Sequence, residues 1–347
     1  MNPSARQFME DARAAHPDAA SVTVLALALL LSPLGWLLRA AEPSPNAVQP
    51  TVILVTGAPG EAEFGSNFVC QAQAWTRVCD QAGVRLVRIG ADTATEPTDR
   101  DRLKQALAAE PVEAPAALWL VFSGHGTFDG KEARFNLRGP DLTASELAAW
   151  LASFRRPLVV IDTASASAPF LARLSATNRV IITATRSGHE QNFARFGGYF
   201  AEALASPAAD LDQDGQTSLL EAFLAAARHV AEFYQTEGRL ATEHALLDDN
   251  GDRLGTPADW FRGLRASKKP EGGASLDGAR AHQLHLVLSR AELALSPSVR
   301  AQRDALELEV FRLRETKSTL PEADYYQRLE TILLQLARLQ VTNHVCP

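Results

Sequence analysis

Leu118-Trp119-Leu120-Val121-Phe122-Ser123-Gly124-His125-Gly126 is the stretch that decides how this chain folds. Its apolar part has the length of a buried strand, and the strand ends in small residues that flank one histidine. A second run of this kind, Pro157-Leu158-Val159-Val160-Ile161-Asp162-Thr163, leads into Ala164-Ser165-Ala166-Ser167. Ligands of open α/β sheets bind beyond the carboxyl ends of the strands. The ends of these two strands are therefore the candidate functional site.

Around these two runs, strand patterns alternate with helix patterns, which predicts an α/β fold with a mostly parallel sheet flanked by helices. The other predicted strands are 51–56, 84–89 and 179–183, and the predicted helices are 67–82, 99–109, 143–154, 169–175, 193–205 and 219–234. A capping box, Thr143 to Glu146, opens the third helix. The sequence predicts four segments, which are an N-terminal segment (1–50), the α/β domain (51–265), a linker (266–275) and a C-terminal helical extension (276–347).

The length of the chain allows it to bury a substantial core, and its mild acidity argues against nucleic acid as a main partner. The chain has 347 residues and a formal net charge of -7, whereas phosphate binding needs a concentrated basic surface. Of its three cysteines, Cys70 and Cys79 lie on one predicted helix, about 180° apart around its axis, so a bond between them is not expected. Neither a disulfide scaffold nor a zinc module is indicated.

The N-terminal segment predicts export or membrane anchoring. Residues 1–21 are polar, Val22 to Leu38 is almost wholly apolar, and a proline-rich stretch follows from Glu42 to Pro50. We favour an export signal or signal anchor over a buried core helix for this run. Whether the segment is cleaved stays open, and in either case the rest of the chain is expected to work outside the cytoplasm, in the periplasm of a bacterium.

The order strand, Ser-Gly-His-Gly, hairpin, helix and a strand ending in Asp-Thr resembles the clan CD cysteine peptidases, which include caspases, metacaspases and legumain. The resemblance covers roughly residues 50 to 260 and implies a caspase-like fold. It implies that His125 matches the catalytic histidine and that Gly126 matches the glycine whose N–H helps to form the oxyanion hole. Asp162 and Thr163 match the two residues before the nucleophile, so the nucleophile position falls on Ala164.

Alanine at that position predicts a protein without cysteine peptidase activity, because the chemistry needs a thiolate beside an imidazole. The rival interpretation is an active hydrolase that uses Ser165 with His125, although Ser165 lies one residue past the expected position. The site without a nucleophile is expected to bind a peptide or protein and not to cut it. Arg186 and Glu190, after the next strand, are candidate pocket charges or a solvated loop pair.

A calcium loop is predicted between Asp210 and Glu221, where the residues match the EF-hand pattern at each ligand position. The candidate ligands are Asp210, Asp212, Asp214, Gln216, Ser218 and Glu221. Pro207 and Thr217 depart from the full EF-hand pattern, and an acidic turn that caps a helix is the competing interpretation. A stretch from Asp248 to Asp252, with Asp259 at its twelfth position, resembles a second loop, but a polar turn is favoured there.

The helical extension is predicted to form two or three helices, and it supports two interpretations. One is a helical hairpin that packs on itself or on the sheet domain, and the other is a coiled-coil or partner-binding tail. Thr319 and Glu322 predict a capping box for its last helix. The leading hypothesis is a non-catalytic caspase-like binding or scaffolding module outside the cytoplasm that holds calcium. A third hypothesis makes the tail the functional part, and the oligomeric state stays open.

Overall fold

Twelve strands and ten helices make up this computed structural model, which describes residues 49–92 and 96–343. The strands are β1 (Thr51–Thr56), β2 (Arg85–Ile89), β3 (Leu118–Ser123), β4 (Gly126–Phe128), β5 (Ala133–Phe135), β6 (Leu142–Thr143), β7 (Leu158–Asp162), β8 (Arg179–Thr183), β9 (Leu246–Asp248), β10 (Thr256–Pro257), β11 (Phe261–Arg262) and β12 (Arg265–Ala266). The helices are α1 (Ala62–Ala82), α2 (Asp99–Ala108), α3 (Ala144–Leu151), α4 (Ala168–Leu174), α5 (Phe196–Ala203), α6 (Leu219–Thr236), α7 (Ala279–Gln283), α8 (Arg290–Ala294), α9 (Pro297–Glu315) and α10 (Glu322–Asn343).

Seven strands form the central sheet in the order β10-β9-β8-β7-β3-β1-β2. The five strands from β8 to β2 run parallel, and β9 and β10 add an antiparallel edge. The predicted mostly parallel sheet is thus confirmed. Because β3 and β7 are neighbours, their carboxyl ends lie side by side, as the two opening runs predict.

The apolar strands are continuous because the sheet is buried on both faces. Leu118, Leu120 and Phe122 pack on one face in a cluster with residues of α2, α3 and α4. Trp119 and Val121 alternate to the other face, in a cluster with residues of α1, α5 and α6. Helices therefore flank the sheet on both sides, and the capping box of Thr143 and Glu146 opens α3 as predicted.

The C-terminal extension contains four helices, α7 to α10, where the sequence predicts two or three. The two long ones, α9 and α10, pack on each other through Val310, Leu313, Tyr325 and Ile332. The predicted capping box at Thr319 is wrong, because α10 begins at Glu322 and the Thr319 hydroxyl donates to the Thr316 carbonyl. The predicted capping box puts the helix start two residues too early.

The described residues all fall within one compact unit, Pro45–Pro347. The segment 266–275, predicted as a linker, hydrogen-bonds with the loop after β9: Ala274 N–H donates to Asp252, and the Asn250 amide donates to the Ser275 carbonyl. The apolar run Val22 to Leu38 lies outside the described residues. Within the described ranges, none of the helices is long and apolar enough to cross a membrane.

Candidate functional site

His125 lies two residues beyond the end of β3, in a cage of three phenylalanine rings. Its ring centroid is 5.0 Å from that of Phe64 and 5.1 Å from that of Phe68, both on α1, in edge-on contacts. Phe193, in the loop before α5, completes the cage at 6.3 Å and stacks on Phe64. The imidazole is thus held by apolar neighbours, and no acidic side chain hydrogen-bonds with it in the described part of the chain.

The cage sets the protonation state of the imidazole. Burial lowers the pKa of His125 below its usual range, and a hydrogen bond to the Pro59 carbonyl opposes this effect. Since proline offers only a carbonyl, the imidazole donates in this contact. At neutral pH His125 is therefore a neutral ring with one N–H already in use.

The Ser165 hydroxyl hydrogen-bonds with the Gly126 N–H, the backbone group that the resemblance assigns to the oxyanion hole. The Gly126 N–H donates to Ser165 Oγ at 3.1 Å, and the same hydroxyl donates to the Gly126 carbonyl at 3.1 Å. Ser165 is only 2% exposed. Both hydrogen-bonding functions of its hydroxyl are satisfied by one residue, and no described contact joins Ser165 to the His125 ring.

Ala164 turns its methyl group into the sheet core. It is 1% exposed and belongs to the cluster with α2, α3 and α4, whereas His125 contacts α1, which packs on the opposite face. Its N–H donates to Asp162 Oδ1 at 3.1 Å. Burial raises the pKa of Asp162 to about 7, and its Oδ2 has no hydrogen-bond partner within the described structure.

The turn after Ala164 is strained and held from the neighbouring loop. Ala166 has a φ of +53°, which is unfavourable for a residue with a side chain. Its N–H donates to the carbonyl of Glu190 at 2.7 Å. Strained backbone of this kind persists only where the surroundings determine it.

The two predicted pocket charges pair with each other. Arg186 Nε lies 3.3 Å from Glu190 Oε1, and the same oxygen is 2.6 Å from Nδ1 of His244. Glu190 is therefore already engaged by two neighbours. Of the two interpretations drawn from the sequence, the structure has the loop pair.

An open cavity of about 630 Å³ adjoins the histidine cage, between α1, α5 and the chain after α6. Phe64 and Phe193 belong both to its wall and to the cage around His125. Its charged residues are Glu63, Arg195, Glu202 and Arg239, none of which forms an ion pair with another described residue. We call this cavity the α1/α5 groove.

The two described cysteines are free, as predicted, and neither lies beside His125 at a strand end. Cys79 is buried in the core, and burial raises the pKa of its thiol to about 12. Cys70 is exposed and lines the α1/α5 groove from α1. Cys346 lies outside the described residues.

The predicted calcium loop brings three of its six candidate ligands together. Asp210, Asp212 and Asp214 place carboxylate oxygens within 4.8 Å of one another. Asp210 also accepts the N–H of Gly215 at 2.9 Å, which closes the turn at the sixth position. Hard oxygen donors of this kind suit calcium.

The other three candidate ligands make different contacts. Ser218 and Glu221 form a capping box at the start of α6, and Glu221 also accepts the N–H groups of Leu211 and Asp212. Gln216, whose main-chain carbonyl is the candidate ligand, uses its side-chain oxygen to accept the N–H of Ser289 at 3.1 Å. The donor set therefore fits calcium at the three aspartates, while Glu221 is held next to them by backbone groups.

The second acidic stretch forms the polar turn that the sequence favours. Asp248 accepts the N–H groups of Gly251 and Arg253, and Asp252 accepts those of Leu254 and Ala274. Asp249 caps the start of α7. Among the described residues, these carboxylates form no cluster that meets the geometry of a metal site.

Two features of the site escape the sequence-based prediction, although each has a signal. The cage residues Phe64 and Phe68 are four apart, a spacing that places both on one face of a helix. Ser218-Leu219-Leu220-Glu221 is a capping box before an apolar run, although the calcium pattern also predicts its two polar residues as ligands. Phe193 reaches the cage through the tertiary fold alone.

No family model and no curated protein matches the sequence. Solved structures similar to it include the Drosophila initiator caspase Dronc, at 11% identity over 60% of this chain and 82% of that one, with a TM-score of 0.40. Caspase-1 from Spodoptera frugiperda matches at 10% identity, 59% and 87% coverage and a TM-score of 0.38. A protein from Geobacter sulfurreducens matches at 13% identity, 52% and 89% coverage and a TM-score of 0.37.

These similarities concern the course of the chain and not its activity. The sheet itself has the arrangement that the motifs imply, since His125 follows β3 and Ala164 lies two residues beyond the neighbouring strand β7. The chain thus has a mixed α/β fold, with a mostly parallel sheet between helices and a helical C-terminal extension.

Proposed function

We propose that this protein is a non-catalytic caspase-like module that binds a peptide or protein segment outside the cytoplasm. The observation that carries the proposal is the hydrogen bond from Gly126 N–H to Ser165 Oγ. An oxyanion hole works only when its donors face the developing charge. Here the donor is already satisfied by a buried hydroxyl.

The rival hydrolase hypothesis needs Ser165 to attack a substrate with help from His125. A serine nucleophile must lie within hydrogen-bond reach of its base. Ser165 instead hydrogen-bonds twice with Gly126, and attack would require breaking both contacts. In serine triads a carboxylate accepts the histidine N–H and so orients the ring. Here the N–H of His125 is donated to the Pro59 carbonyl instead.

Binding is assigned to the α1/α5 groove because it is open and shares two aromatic residues with the histidine cage. Aromatic walls next to unpaired charges offer both apolar contact and charge recognition to an extended peptide. The groove carries two acidic and two basic side chains, so a segment with both signs of charge fits best.

We expect a fluorophosphonate probe to leave Ser165 unlabelled, because its hydroxyl is buried and engaged. The labelled fraction is measured by intact-protein mass spectrometry, with an active serine hydrolase in the same tube as the positive control. Labelling that disappears in Ser165→Ala would overturn the non-catalytic proposal.

Incubation of the purified protein with a peptide library tests the proposed peptide binding. We expect peptides to be retained uncut. Gly198→Arg should release them, because a side chain at this position of α5 enters open space in the groove. Cleavage products, or retention unchanged in Gly198→Arg, would count against this assignment.

We further propose that calcium binds at Asp210, Asp212 and Asp214. When bound, the ion would neutralise three adjacent carboxylates, and Glu221 lies beside them at the start of α6. Outside the cytoplasm, where we place the protein, even a weak site of about 10⁻⁴–10⁻³ M fills. N-terminal sequencing of the mature protein and cell fractionation test the location.

Calcium at one hundred times the dissociation constant is expected to stabilise the protein by about 2.7 kcal/mol. The melting temperature should then rise by several degrees for a chain of this size. Differential scanning calorimetry with calcium, with magnesium and with chelator measures the effect. Asp212→Asn should abolish the calcium response, and Asp259→Asn, in the second acidic stretch, should leave it intact. Equal melting temperatures with calcium and chelator would refute the site.

A further inference from the structure

Two apolar cavities lie where the α9–α10 hairpin meets the β11–β12 turn. Their volumes are about 510 Å³ and 340 Å³, and their walls share Arg265, Phe311 and Arg314. The shared residues make them one continuous depression, which we call the tail groove. It is separate from the α1/α5 groove, with which it has no wall residue in common.

The tail groove exposes large apolar side chains of α10. Tyr326 is 49% exposed and lines the first cavity, and Leu333 is 47% exposed and lines the second. They are seven residues apart, so they lie on one side of the helix. The opposing wall contributes Leu264 from the β11–β12 turn. An apolar strip two helical turns long is therefore open to a partner.

The charged rim of the tail groove is basic. Arg265, Arg314 and Lys317 belong to its wall and form no ion pair with any other described residue. Its two acidic residues are engaged within the protein: Glu315 accepts the N–H of Leu276, and Glu307 accepts the Gln283 amide. Among the three basic residues, Lys317 places its ammonium group over the Tyr325 and Tyr326 rings.

We propose that the tail groove binds an amphipathic helix with an apolar face and acidic flanks. The apolar strip is two helical turns long, which is the length over which the anchor residues of a bound helix enter a groove in helix-in-groove recognition. The unpaired arginines and lysine at the rim select acidic flanking residues over basic ones. This partner site is independent of the peptide-binding function proposed for the α1/α5 groove.

Two labelled synthetic helices of about four turns test the proposal by fluorescence anisotropy with the full chain. One carries a leucine face with glutamate flanks, and the other has lysine in place of each glutamate. We expect saturable binding of the acidic helix alone, weakened by added salt. Leu333→Asp should weaken it about tenfold or more, and Arg314→Glu severalfold.

Leu334→Asp is the matched control, because this neighbour is 51% exposed and lies outside the groove wall. It should change the affinity less than twofold, and circular dichroism should show equal helicity in all variants. Equal binding of both synthetic helices, no saturable binding, or equal effects of Leu333→Asp and Leu334→Asp would overturn the proposal. So would a dimer in sedimentation velocity that Leu333→Asp dissociates, because a second copy would then fill the groove.

Discussion

Replacing Gly126 with alanine is expected to destabilise the protein by about 3 kcal/mol or more, the range of severe overpacking. An added Cβ would lie 2.3 Å from the Ser165 carbonyl oxygen and 3.1 Å from that of Arg134. Both are backbone atoms, which cannot rotate away as a flexible side chain can. The substitution must therefore separate the turn after Ala164 from β4, and it should break both hydrogen bonds of the Ser165 hydroxyl.

Unfolding in urea measures the loss of stability in Gly126→Ala, with Gly198→Ala as the control. At position 198, inside α5, an added Cβ meets no atom within 4 Å. Alanine is a better helix former than glycine, so this variant should be unchanged or more stable by up to about 1 kcal/mol. A Gly126→Ala protein as stable as the wild type would mean that Ser165 is not held against Gly126, and the non-catalytic proposal would lose its main support.

Replacing Asp277 with asparagine is expected to remove much of the pH dependence of stability above pH 5. Asp277 is fully buried, accepts the N–H groups of Asp249 and Asn250, and accepts the Thr256 hydroxyl at 2.6 Å. Burial, reinforced by the charge of Asp249, raises the pKa of Asp277 to about 9. Burial also raises the pKa of Asp249, which caps α7 through three N–H groups.

The direction in which stability changes with pH follows from the number of protons that each state binds. An aspartate in the unfolded chain loses its proton near pH 4, whereas folded Asp277 keeps it up to about pH 9. Between these values the folded state binds more protons, so stability falls as pH rises. One such proton contributes at most about 1.4 kcal/mol per pH unit.

The measurement is the free energy of unfolding in urea at pH 5, 6, 7 and 8. Asparagine stays neutral and still offers an oxygen to the Asp249 N–H. The free energy of unfolding of the variant should therefore fall less steeply with pH than that of the wild type, and at pH 8 it should be equal or higher. Asp324→Asn, on the exposed side of α10, should keep the wild-type slope. Identical slopes in the wild type and Asp277→Asn would show that Asp277 is ionised in the folded protein.

Much of the sheet was predictable from local patterns. Apolar runs within 51–56, 118–123 and 179–183 coincide with β1, β3 and β8, because the interiors of parallel strands buried on both faces are continuously apolar. The position of His125 after one strand and of Ala164 after its neighbour followed from the same runs. The capping box at Thr143 predicted the start of α3, since its two hydrogen bonds are local.

The contacts that decide the site were not predictable in this way, because they join residues far apart in the chain. Ser165 meets Gly126 across 39 residues, and the sequence alone left it a candidate nucleophile. Phe193 meets His125 only because the loop before α5 folds over α1. Asp249 lies in the stretch that the sequence favours as a polar turn, although tertiary packing removes both it and Asp277 from water.

The sequence by itself thus determined the α/β sheet, the two adjacent strand ends and the absence of cysteine at position 164, since these depend on hydrophobic patterning and residue identity. Only the tertiary structure decided that the Gly126 N–H is occupied by Ser165, that His125 sits neutral among aromatic rings, and that α10 leaves an apolar strip beside a basic rim. The physical reason is that hydrogen-bond partners, burial and open surface are properties of side chains brought together from distant segments.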